Sequence, residues 1–218
     1  MPRESLKSKQ ERAKSILEIL YEQYPDAHCA LIHNTPLELL VATILSAQCT
    51  DKKVNQVTQT LFQKYKCPED YASVDYHELE QDIKSIGLFR SKAKNLIKMG
   101  QRLVDVYDSK VPDKMDDLTS LGGVGRKTAN VVLGNIFGIN EGIVVDTHVG
   151  RITSLLGLTN KKDAKAIEID LVKVFKHHQK EWTIISHLFI DHGRAICIAR
   201  RPKCYDCPLA TLCPAKPF

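Results

Sequence analysis

The sequence predicts an all-α fold, and three observations support this prediction. Apolar residues recur at helical spacing along most of the 218 residues. Pro25 and Pro112 each stand where a helical stretch ends, and the residues around Thr35 are typical of a helix start. Only Ile143-Val144-Val145 resembles a strand, and the sequence has no internal repeat, low-complexity tract or flexible linker.

Local signals predict the helices in chain order. Thr35 can cap a helix in which Pro36 takes the first position and Glu38 closes a capping box. Residues 39–45 are nearly all apolar, so this helix is expected to be buried. The predicted stretches are Leu6–Tyr24, a helix from Thr35 to about Leu45, Lys52–Tyr65, Asp75–Ser85, Ser91–Tyr107, Asp116–Ser120, an apolar helix through 128–133, and helices near Val149–Leu156, Asp163–His177 and Lys180–Asp191. In Ser91–Tyr107 periodicity turns Ala93, Leu96, Ile97, Leu103 and Val104 inward.

The composition is that of a globular protein. Its hydrophobic fraction is 43%, and no apolar run approaches the roughly 20 residues that a membrane span needs. Residues 1–23 alternate charged with apolar side chains and include acids, so they form neither a signal peptide nor a transit peptide. We therefore expect a cytoplasmic protein that binds no membrane. The net charge of +5 alone is weak evidence for a nucleic-acid partner.

The stretch Leu121-Gly122-Gly123-Val124-Gly125-Arg126-Lys127-Thr128-Ala129 predicts a phosphate-binding turn. Glycines permit close backbone approach, and the N–H groups at a helix start can hold an anion. The pattern indicates a hairpin between two helices, with Lys127 in the first turn of the second helix. The turn is not a Walker motif, because Arg126 breaks the Gly-Lys pair.

Two side chains could carry chemistry: the amine of Lys127 and the carboxylate of Asp146, which follows the apolar run 143–145. From the residues alone, Lys127 reads better as a phosphate-binding lysine than as a nucleophile. Asp146 can equally be the N-cap of the helix that follows it. We interpret His148 as a satisfied, partly buried histidine.

Two acid-free basic runs extend this anion-binding pattern. Residues 83–104 contain Lys84, Arg90, Lys92, Lys94, Lys98 and Arg102, and residues 192–203 contain Arg194, Arg200, Arg201 and Lys203. One such run alone is usually a solvated helix face. Two runs together with a phosphate-binding hairpin favour a polyanion-binding surface.

Four cysteines near the C-terminus, Cys197, Cys204, Cys207 and Cys213, have the spacing C-x6-C-x2-C-x5-C. Disulfides are disfavoured in a cytoplasmic chain. The thiolates could hold a structural zinc ion or an iron–sulfur cluster, and the residues alone leave both open. The remaining cysteines, Cys29, Cys49 and Cys67, read as small buried hydrophobic residues.

LGGVGRKTANVVL followed by VDTHV resembles the helix-hairpin-helix DNA glycosylases, specifically the endonuclease III family. The cysteine spacing is a second, independent match, and the resemblance covers nearly the whole chain. It implies a helix-hairpin-helix DNA glycosylase fold with a helical barrel domain at 29–139, which carries the hairpin at about 115–134. It also implies a second helical domain, 1–28 plus 140–218, with an iron–sulfur cluster loop at 197–213, and a cleft that takes DNA.

The resemblance also implies the activity. A bifunctional enzyme of base-excision DNA repair would remove oxidised or damaged pyrimidines and cleave 3′ to the abasic site by β-elimination through a lysine Schiff base. Lys127 is then the nucleophile, Asp146 assists at C1′ of the sugar, and the four cysteines hold a structural [4Fe–4S] cluster. The implied partner is double-stranded DNA with damaged pyrimidines or abasic sites, and we expect a monomer associated with the nucleoid.

Further residues are implied to contact DNA. Gln48 would fill the space left by the extruded nucleotide, and Leu88 would be a wedge in the base stack. From the residues alone, Gln48 is a polar residue at the C-terminus of a helix. Leu88 would then follow a glycine cap and make a hydrophobic contact with the helix that the glycine ends. The other implied contacts are Gly123, Gly125 and Arg126 of the hairpin and Arg200, Arg201 and Lys203 of the cluster loop.

Two alternatives remain: a monofunctional mismatch glycosylase and a non-catalytic DNA-binding relative. Adenine-specific mismatch glycosylases generally lack this lysine and carry a further C-terminal domain, so Lys127 and the short segment after Cys213 favour the bifunctional enzyme. The chain departs from the family pattern at Gly122, where proline is common. This exchange predicts a hairpin looser by up to ~1 kcal/mol. The loop 138–145 is also a residue longer than usual.

Overall fold

The computed structural model describes residues 4–216, and the regular structure within them is helical, which confirms the all-α prediction. The helices in this range are α1 (Leu6–Gln23), α2 (Pro36–Ser46), α3 (Asp51–Lys64), α4 (Pro68–Ser73), α5 (Tyr76–Asp82), α6 (Phe89–Tyr107), α7 (Met115–Thr119), α8 (Arg126–Phe137), α9 (Thr147–Leu155), α10 (Ala164–Val174) and α11 (Trp182–Ala195). Two 3₁₀ helices span Lys176–Glu181 and Cys204–Asp206. The strand-like residues 143–145 form an extended loop. None of the helices between residues 4 and 216 is both long and apolar enough to cross a membrane.

The chain folds into two compact units, each with its own hydrophobic core. We call Cys29–Ile139, with α2–α8, the hairpin unit. The cysteine unit joins the segment that ends at His28 to the segment that begins at Asn140, and it contains α1 and α9–α11.

Helix α2 lies at the centre of the hairpin unit. Every residue from Leu39 to Leu45 is buried, as the apolar sequence predicts. Helices α3, α6 and α8 all pack against α2, while α4 and α5 pack against α6 and α7 packs against α8. The most apolar segment of the chain is thereby enclosed by the helices that carry the hairpin and the basic run 83–104.

The start of α2 follows the predicted capping pattern with one difference. The Oγ1 of Thr35 accepts a hydrogen bond of 3.1 Å from the N–H of Glu38. The Glu38 carboxylate, however, reaches back to the N–H of Asn34 rather than to that of Thr35. Thr50 caps α3 by accepting from the N–H of Lys53 at 3.3 Å, so helices with capped starts lie on both sides of the loop that contains Gln48.

Helix α4 was not among the predicted helices, although its start carries a signal. Pro68 takes its first position, and the Asp70 carboxylate accepts hydrogen bonds from the N–H groups of Lys66 at 2.7 Å and Cys67 at 3.1 Å. These bonds hold the pKa of Asp70 below its usual value. Proline followed by acids is typical of a first helical turn, but six residues are too few to show a helical period.

Helix α6 buries Ala93, Leu96 and Leu103, as periodicity predicts, but two of its residues depart from that pattern. Val104 was expected inside, but it is 36% exposed. Lys92, which belongs to the basic run, is instead only 4% exposed. Gly100 explains the close packing on this side, because a Cβ there would lie 2.7 Å from the backbone nitrogen of Ala72 in α4. The buried face of α6 therefore includes a charged side chain.

The core of the cysteine unit is formed by α1 and α9–α11. Ile16, Leu17 and Leu20 of α1 are 0–1% exposed. The predicted helix Asp163–His177 ends earlier, at Val174, and a 3₁₀ helix follows. The indole N–H of Trp182 donates a 2.9 Å hydrogen bond to the carbonyl of Phe175, which fixes the connection into α11.

Candidate functional site

The predicted hairpin is formed by α7, the turn 120–125 and α8. Leu121 and Val124 anchor the turn in the core, being 3% and 7% exposed, and the N–H of Val124 donates to the carbonyl of Leu121 at 3.2 Å. Gly123 has φ +78°, a left-handed conformation that favours glycine. A Cβ at Gly123 would also lie 2.9 Å from the side chain of Asn95, so glycine is required there for two reasons.

Gly122 lies against α6 with no room for a side chain. A Cβ at this position would lie 2.6 Å from the carbonyl oxygen of Asn95 and 2.9 Å from Cβ of Lys98. The exchange of the usual proline for Gly122 by itself only removes a restraint on φ. The structure adds a steric reason for glycine, because the backbone of the hairpin approaches the backbone of α6 directly.

The N-terminus of α8 is arranged to receive an anion. Gly125 is its N-cap in an extended conformation, and within residues 4–216 no side chain makes the cap hydrogen bond. A Cβ at Gly125 would meet nothing within 4 Å, so its surroundings are open. Arg126 and Lys127 occupy the first two helical positions with exposed side chains. An open helix N-terminus with two cations is a favourable place for a phosphate.

Gln48 and Leu88 share an uncommon backbone conformation. Both are exposed, and both lie in the left-handed region, with φ 54° for Gln48 and 59° for Leu88. Their loops also adjoin, since a Cβ at Gly87 would lie 3.4 Å from the carbonyl oxygen of Gln48. Non-glycine residues in this conformation occur where the surrounding structure enforces them, often at functional sites.

Asp146 is the N-cap of α9 in the cysteine unit. Its Oδ1 accepts a 2.8 Å hydrogen bond from the N–H of Val149. The apolar residues before it are buried, and the N–H of Val144 donates to Oγ of Ser186 at 3.0 Å, which anchors the loop. The capping role was one of the two that the sequence left open for Asp146. Since a carboxylate has two oxygens, capping leaves acceptor capacity for another partner.

His148 and Arg151 lie on the first turns of the same helix. His148 is half-buried, and its Nδ1 lies 3.4 Å from Nη2 of Arg151. The same Nη2 donates to the carbonyl of Cys197 at 2.7 Å and to that of Gly193 at 3.3 Å. Arg151 therefore holds the end of α11 at the point where the first of the four C-terminal cysteines occurs, a role with no signal in the sequence.

The four C-terminal cysteines line one cavity of about 220 Å³ in the cysteine unit. Apolar side chains such as Ile152, Leu156 and Leu209 form much of its remaining wall. Burial raises the pKa of the Cys197 and Cys207 thiols, while Arg151 acts in the opposite direction on Cys197. Within residues 4–216, no three Cys, His, Asp or Glu side chains are close enough together to share one metal ion. All seven cysteines of the chain lie in this range, and none forms a disulfide.

A buried histidine connects this cavity to α1. The Nε2 of His192 lies 3.6 Å from the sulfur of Cys207, and its Nδ1 lies 3.1 Å from the hydroxyl of Tyr24. His192 is 1% exposed, and burial lowers its pKa to about 4, so the ring is neutral at pH 7. If the Tyr24 hydroxyl donates to Nδ1, the single ring N–H is on Nε2 and points at Cys207.

The basic residues of the cysteine loop are exposed, as a DNA-contacting role requires. Arg200, Arg201 and Lys203 project from the segment between Cys197 and Cys204. The N–H of Lys203 donates to the carbonyl of Ile196 at 3.0 Å, which closes this segment on itself.

The three remaining cysteines, Cys29, Cys49 and Cys67, are only half-buried, not fully buried as the sequence suggested.

Fold and hairpin together define a helix-hairpin-helix protein of DNA repair: residues 41–177 match the HhH-GPD superfamily base excision DNA repair protein family. Over 208 residues the chain is 50% identical to endonuclease III of Synechocystis sp., covering 95% of this chain and 94% of that protein. It is 48% identical to endonuclease III of Bacillus subtilis, covering 90% and 89%. The chain therefore belongs to the endonuclease III family, which confirms the resemblance in the sequence.

Two solved structures of relatives share this fold. One is a non-covalent endonuclease III–DNA complex, 46% identical with a TM-score of 0.89, covering 94% of this chain and 95% of that chain. The other is a trapped endonuclease III–DNA covalent intermediate, also 46% identical with a TM-score of 0.89, covering 94% and 96%.

Proposed function

We propose that this protein is a bifunctional DNA glycosylase and abasic-site lyase of base-excision repair. It releases damaged pyrimidines from duplex DNA in the cytoplasm, on the nucleoid, and cleaves the strand 3′ to the resulting abasic site. The observation that carries the proposal is the exposed Lys127 in the first turn after the glycine hairpin. A relative 46% identical to this chain has been trapped as a covalent intermediate with DNA, which supports an amine nucleophile at this place.

Lys127 and Asp146 divide the chemistry between them. The free amine of Lys127 forms a bond to C1′ while the N-glycosidic bond breaks and the base leaves with its electron pair. Asp146 accepts the proton that the amine loses and stabilises the positive charge at C1′. The C1′–O4′ bond then breaks, with O4′ taking the proton held by Asp146, and C1′ and Lys127 form an iminium. Loss of a C2′ proton expels the 3′ phosphate, and water then releases the lysine.

The hairpin and the loops that contain Gln48 and Leu88 bind the DNA. Backbone N–H groups at Gly123 and Gly125 and the side chain of Arg126 hold a phosphate of the damaged strand. Gln48 fills the position of the extruded nucleotide and Leu88 separates the neighbouring bases, because a glycosylase must remove its target from the stack. Arg200, Arg201 and Lys203 add phosphate contacts from the cysteine loop.

We propose further that Cys197, Cys204, Cys207 and Cys213 hold a [4Fe–4S] cluster. Four cysteine thiolates are the usual donor set for such a cluster. The cavity of about 220 Å³ that they line far exceeds the roughly 10–15 Å³ that one water molecule needs, whereas a zinc site closes tightly around one ion. When bound, the cluster holds the shape of a loop that has few apolar residues of its own and presents its basic side chains to DNA.

The activity is tested with two duplexes, one carrying an oxidised thymine and one an abasic site. Released base and strand cleavage are measured separately. The proposal predicts base release from the first duplex and 3′ cleavage of both. Base release without cleavage would identify a monofunctional glycosylase, and DNA binding without either reaction would identify a non-catalytic relative.

The cluster is tested by metal and acid-labile sulfide analysis of protein purified without oxygen. We expect about four irons and four sulfides per chain. Cys204→Ser should lose both, whereas the control Cys67→Ser, in the hairpin unit, should keep them. One zinc ion per chain without sulfide would contradict the cluster proposal.

A further inference from the structure

The buried lysine of α6 has no role in the phosphate-binding surface to which its sequence neighbours belong. Lys92 is 4% exposed, and its Nζ donates hydrogen bonds to the carbonyls of Leu45 at 2.9 Å and Ala47 at 2.6 Å. Burial lowers its pKa. Burying an amine costs free energy unless its N–H groups find hydrogen-bond acceptors. The carbonyls of Leu45 and Ala47 are the acceptors that allow Lys92 to be buried.

Both acceptors belong to the end of α2 and the loop that follows it. Leu45 lies in the last turn of α2, and Ala47 is its C-cap. The last carbonyls of a helix have no partners within the helix, and a cation there is favourable. From α6, Lys92 thus supplies hydrogen-bond donors and a positive charge to the last carbonyls of α2. It also fixes the peptide group directly before Gln48.

The same residue is bound to the loop that contains Leu88. Leu88 is the N-cap of α6, and the backbone N–H of Lys92 donates to its carbonyl at 3.1 Å. The backbone of Lys92 is therefore one helical turn from Leu88, while its side chain reaches the residue before Gln48. One residue therefore joins the loops of Gln48 and Leu88, both of which are exposed and have left-handed backbones.

We propose that Lys92 is a positioning residue, whose ammonium group holds the Gln48 loop in register with the Leu88 loop so that both side chains enter the duplex together. This inference rests on the proposed function, in which Gln48 and Leu88 insert into DNA. It assigns Lys92 no contact with DNA or with the reacting atoms. Its contribution is to duplex distortion and not to the chemistry at C1′.

The test compares two substrates that need different parts of the protein. A duplex with a damaged pyrimidine requires insertion of Gln48 and Leu88, whereas an abasic site in single-stranded DNA has no partner strand to distort. Lys92→Met keeps an unbranched side chain of similar length and removes the donors. We expect a loss of about 10–100-fold in single-turnover base release from the duplex, since small displacements of positioning groups have effects of this size. Cleavage of the single strand should stay within about twofold of wild type by the same reasoning.

Lys53→Met is the control, because it removes the same charge from α3 of the same unit and should leave both rates within about twofold. Equal losses on both substrates, or no loss on the duplex, would overturn the inference. If Lys92→Met does not fold, Lys92→Gln takes its place, because it keeps an N–H donor on a shorter side chain. Its activity on the duplex must then fall by more than its activity on the single strand, although by less than in Lys92→Met. A wild-type protein that acts on neither substrate would overturn the proposed function and this inference with it.

A double-mutant cycle tests the route of the effect. If Lys92 acts through the Gln48 loop, Lys92→Met should lower duplex activity by less than about twofold once Gln48 is already alanine. Losses that multiply in the double variant would show that Lys92 acts independently of Gln48, and the inference would fail.

Discussion

The carboxylate of Asp146 accepts a 2.8 Å hydrogen bond from the backbone N–H of Val149, three residues further along the chain. The residue proposed to act at C1′ is therefore also the cap that begins α9. The sequence left these two roles of Asp146 as alternatives. The structure makes them compatible, because the cap fixes the orientation of the carboxylate at the end of a buried loop.

Substitution at Asp146 can separate the two roles. Asparagine caps helices as well as aspartate, so Asp146→Asn should leave the free energy of unfolding within about 0.5 kcal/mol of wild type. Base release should nevertheless fall about 10²–10⁴-fold, because the amide cannot accept a proton. Thermal unfolding and single-turnover base release measure the two effects.

The N-cap of α10 offers a matched control. Asp163 accepts from the N–H of Ala166 at 3.0 Å, in the same geometry. Asp163→Ala and Asp146→Ala should each cost about 1 kcal/mol of stability, but only the second should lose activity. Full activity in Asp146→Asn would remove Asp146 from the mechanism.

The three hairpin glycines should respond differently to alanine. Gly122→Ala places a Cβ 2.6 Å from the carbonyl of Asn95, and we expect a loss of about 1–3 kcal/mol in stability. Gly125→Ala should lower the unfolding temperature much less than Gly122→Ala, because nothing lies within 4 Å of its Cβ position. It should still weaken DNA binding, since the methyl group would keep a phosphate from the helix N-terminus. A stable Gly122→Ala variant, or a Gly125→Ala variant with wild-type affinity, would contradict this account of the hairpin.

The cysteine loop should contribute to DNA binding through phosphate contacts alone. Arg200→Ala, Arg201→Ala and Lys203→Ala should each weaken binding to duplex DNA irrespective of sequence, and each should lower the slope of log K against log salt by about 0.9. Fluorescence anisotropy at several salt concentrations measures the slope. Lys14→Ala on α1 removes the same charge from an exposed position and is the control. An unchanged slope in all three loop variants would exclude the loop from the DNA interface.

His192 should stabilise the bound cluster through Cys207. His192→Phe keeps an aromatic ring in the buried position but loses the contacts to Cys207 and to the hydroxyl of Tyr24. Groups that orient metal ligands typically change metal affinity by about 10–100-fold, so we expect faster loss of iron to a chelator. Tyr24→Phe should give a smaller effect, because it leaves the Nε2–Cys207 contact in place. Iron release at the wild-type rate in His192→Phe would refute this role.

The sequence predicts the elements whose signals are local. The cap at Thr35, the glycine turn and the cysteine spacing are all patterns within a few residues, and the structure contains the corresponding helix start, hairpin and shared cavity. Features that depend on packing between helices escaped prediction. A lysine normally belongs to the surface, so only the position of the end of α2 reveals why Lys92 is buried.

The same limit applies to Gly122, Val104 and α4. The steric need for Gly122 exists only because α6 lies against the hairpin, and Val104 is exposed although its spacing fits the apolar face of α6. Helix α4 could have been found from Pro68 and the acids after it, but its six residues show no period.

The most direct test of the account is borohydride trapping on a duplex that carries an oxidised thymine. Lys165→Ala is the matched control for Lys127→Ala, since Lys165 is also an exposed lysine at the second position of a helix, in α10. The account predicts a covalent protein–DNA adduct with wild type and with Lys165→Ala, and none with Lys127→Ala. An adduct that persists in Lys127→Ala, or its absence from wild type while base is still released, would contradict a Lys127 Schiff base.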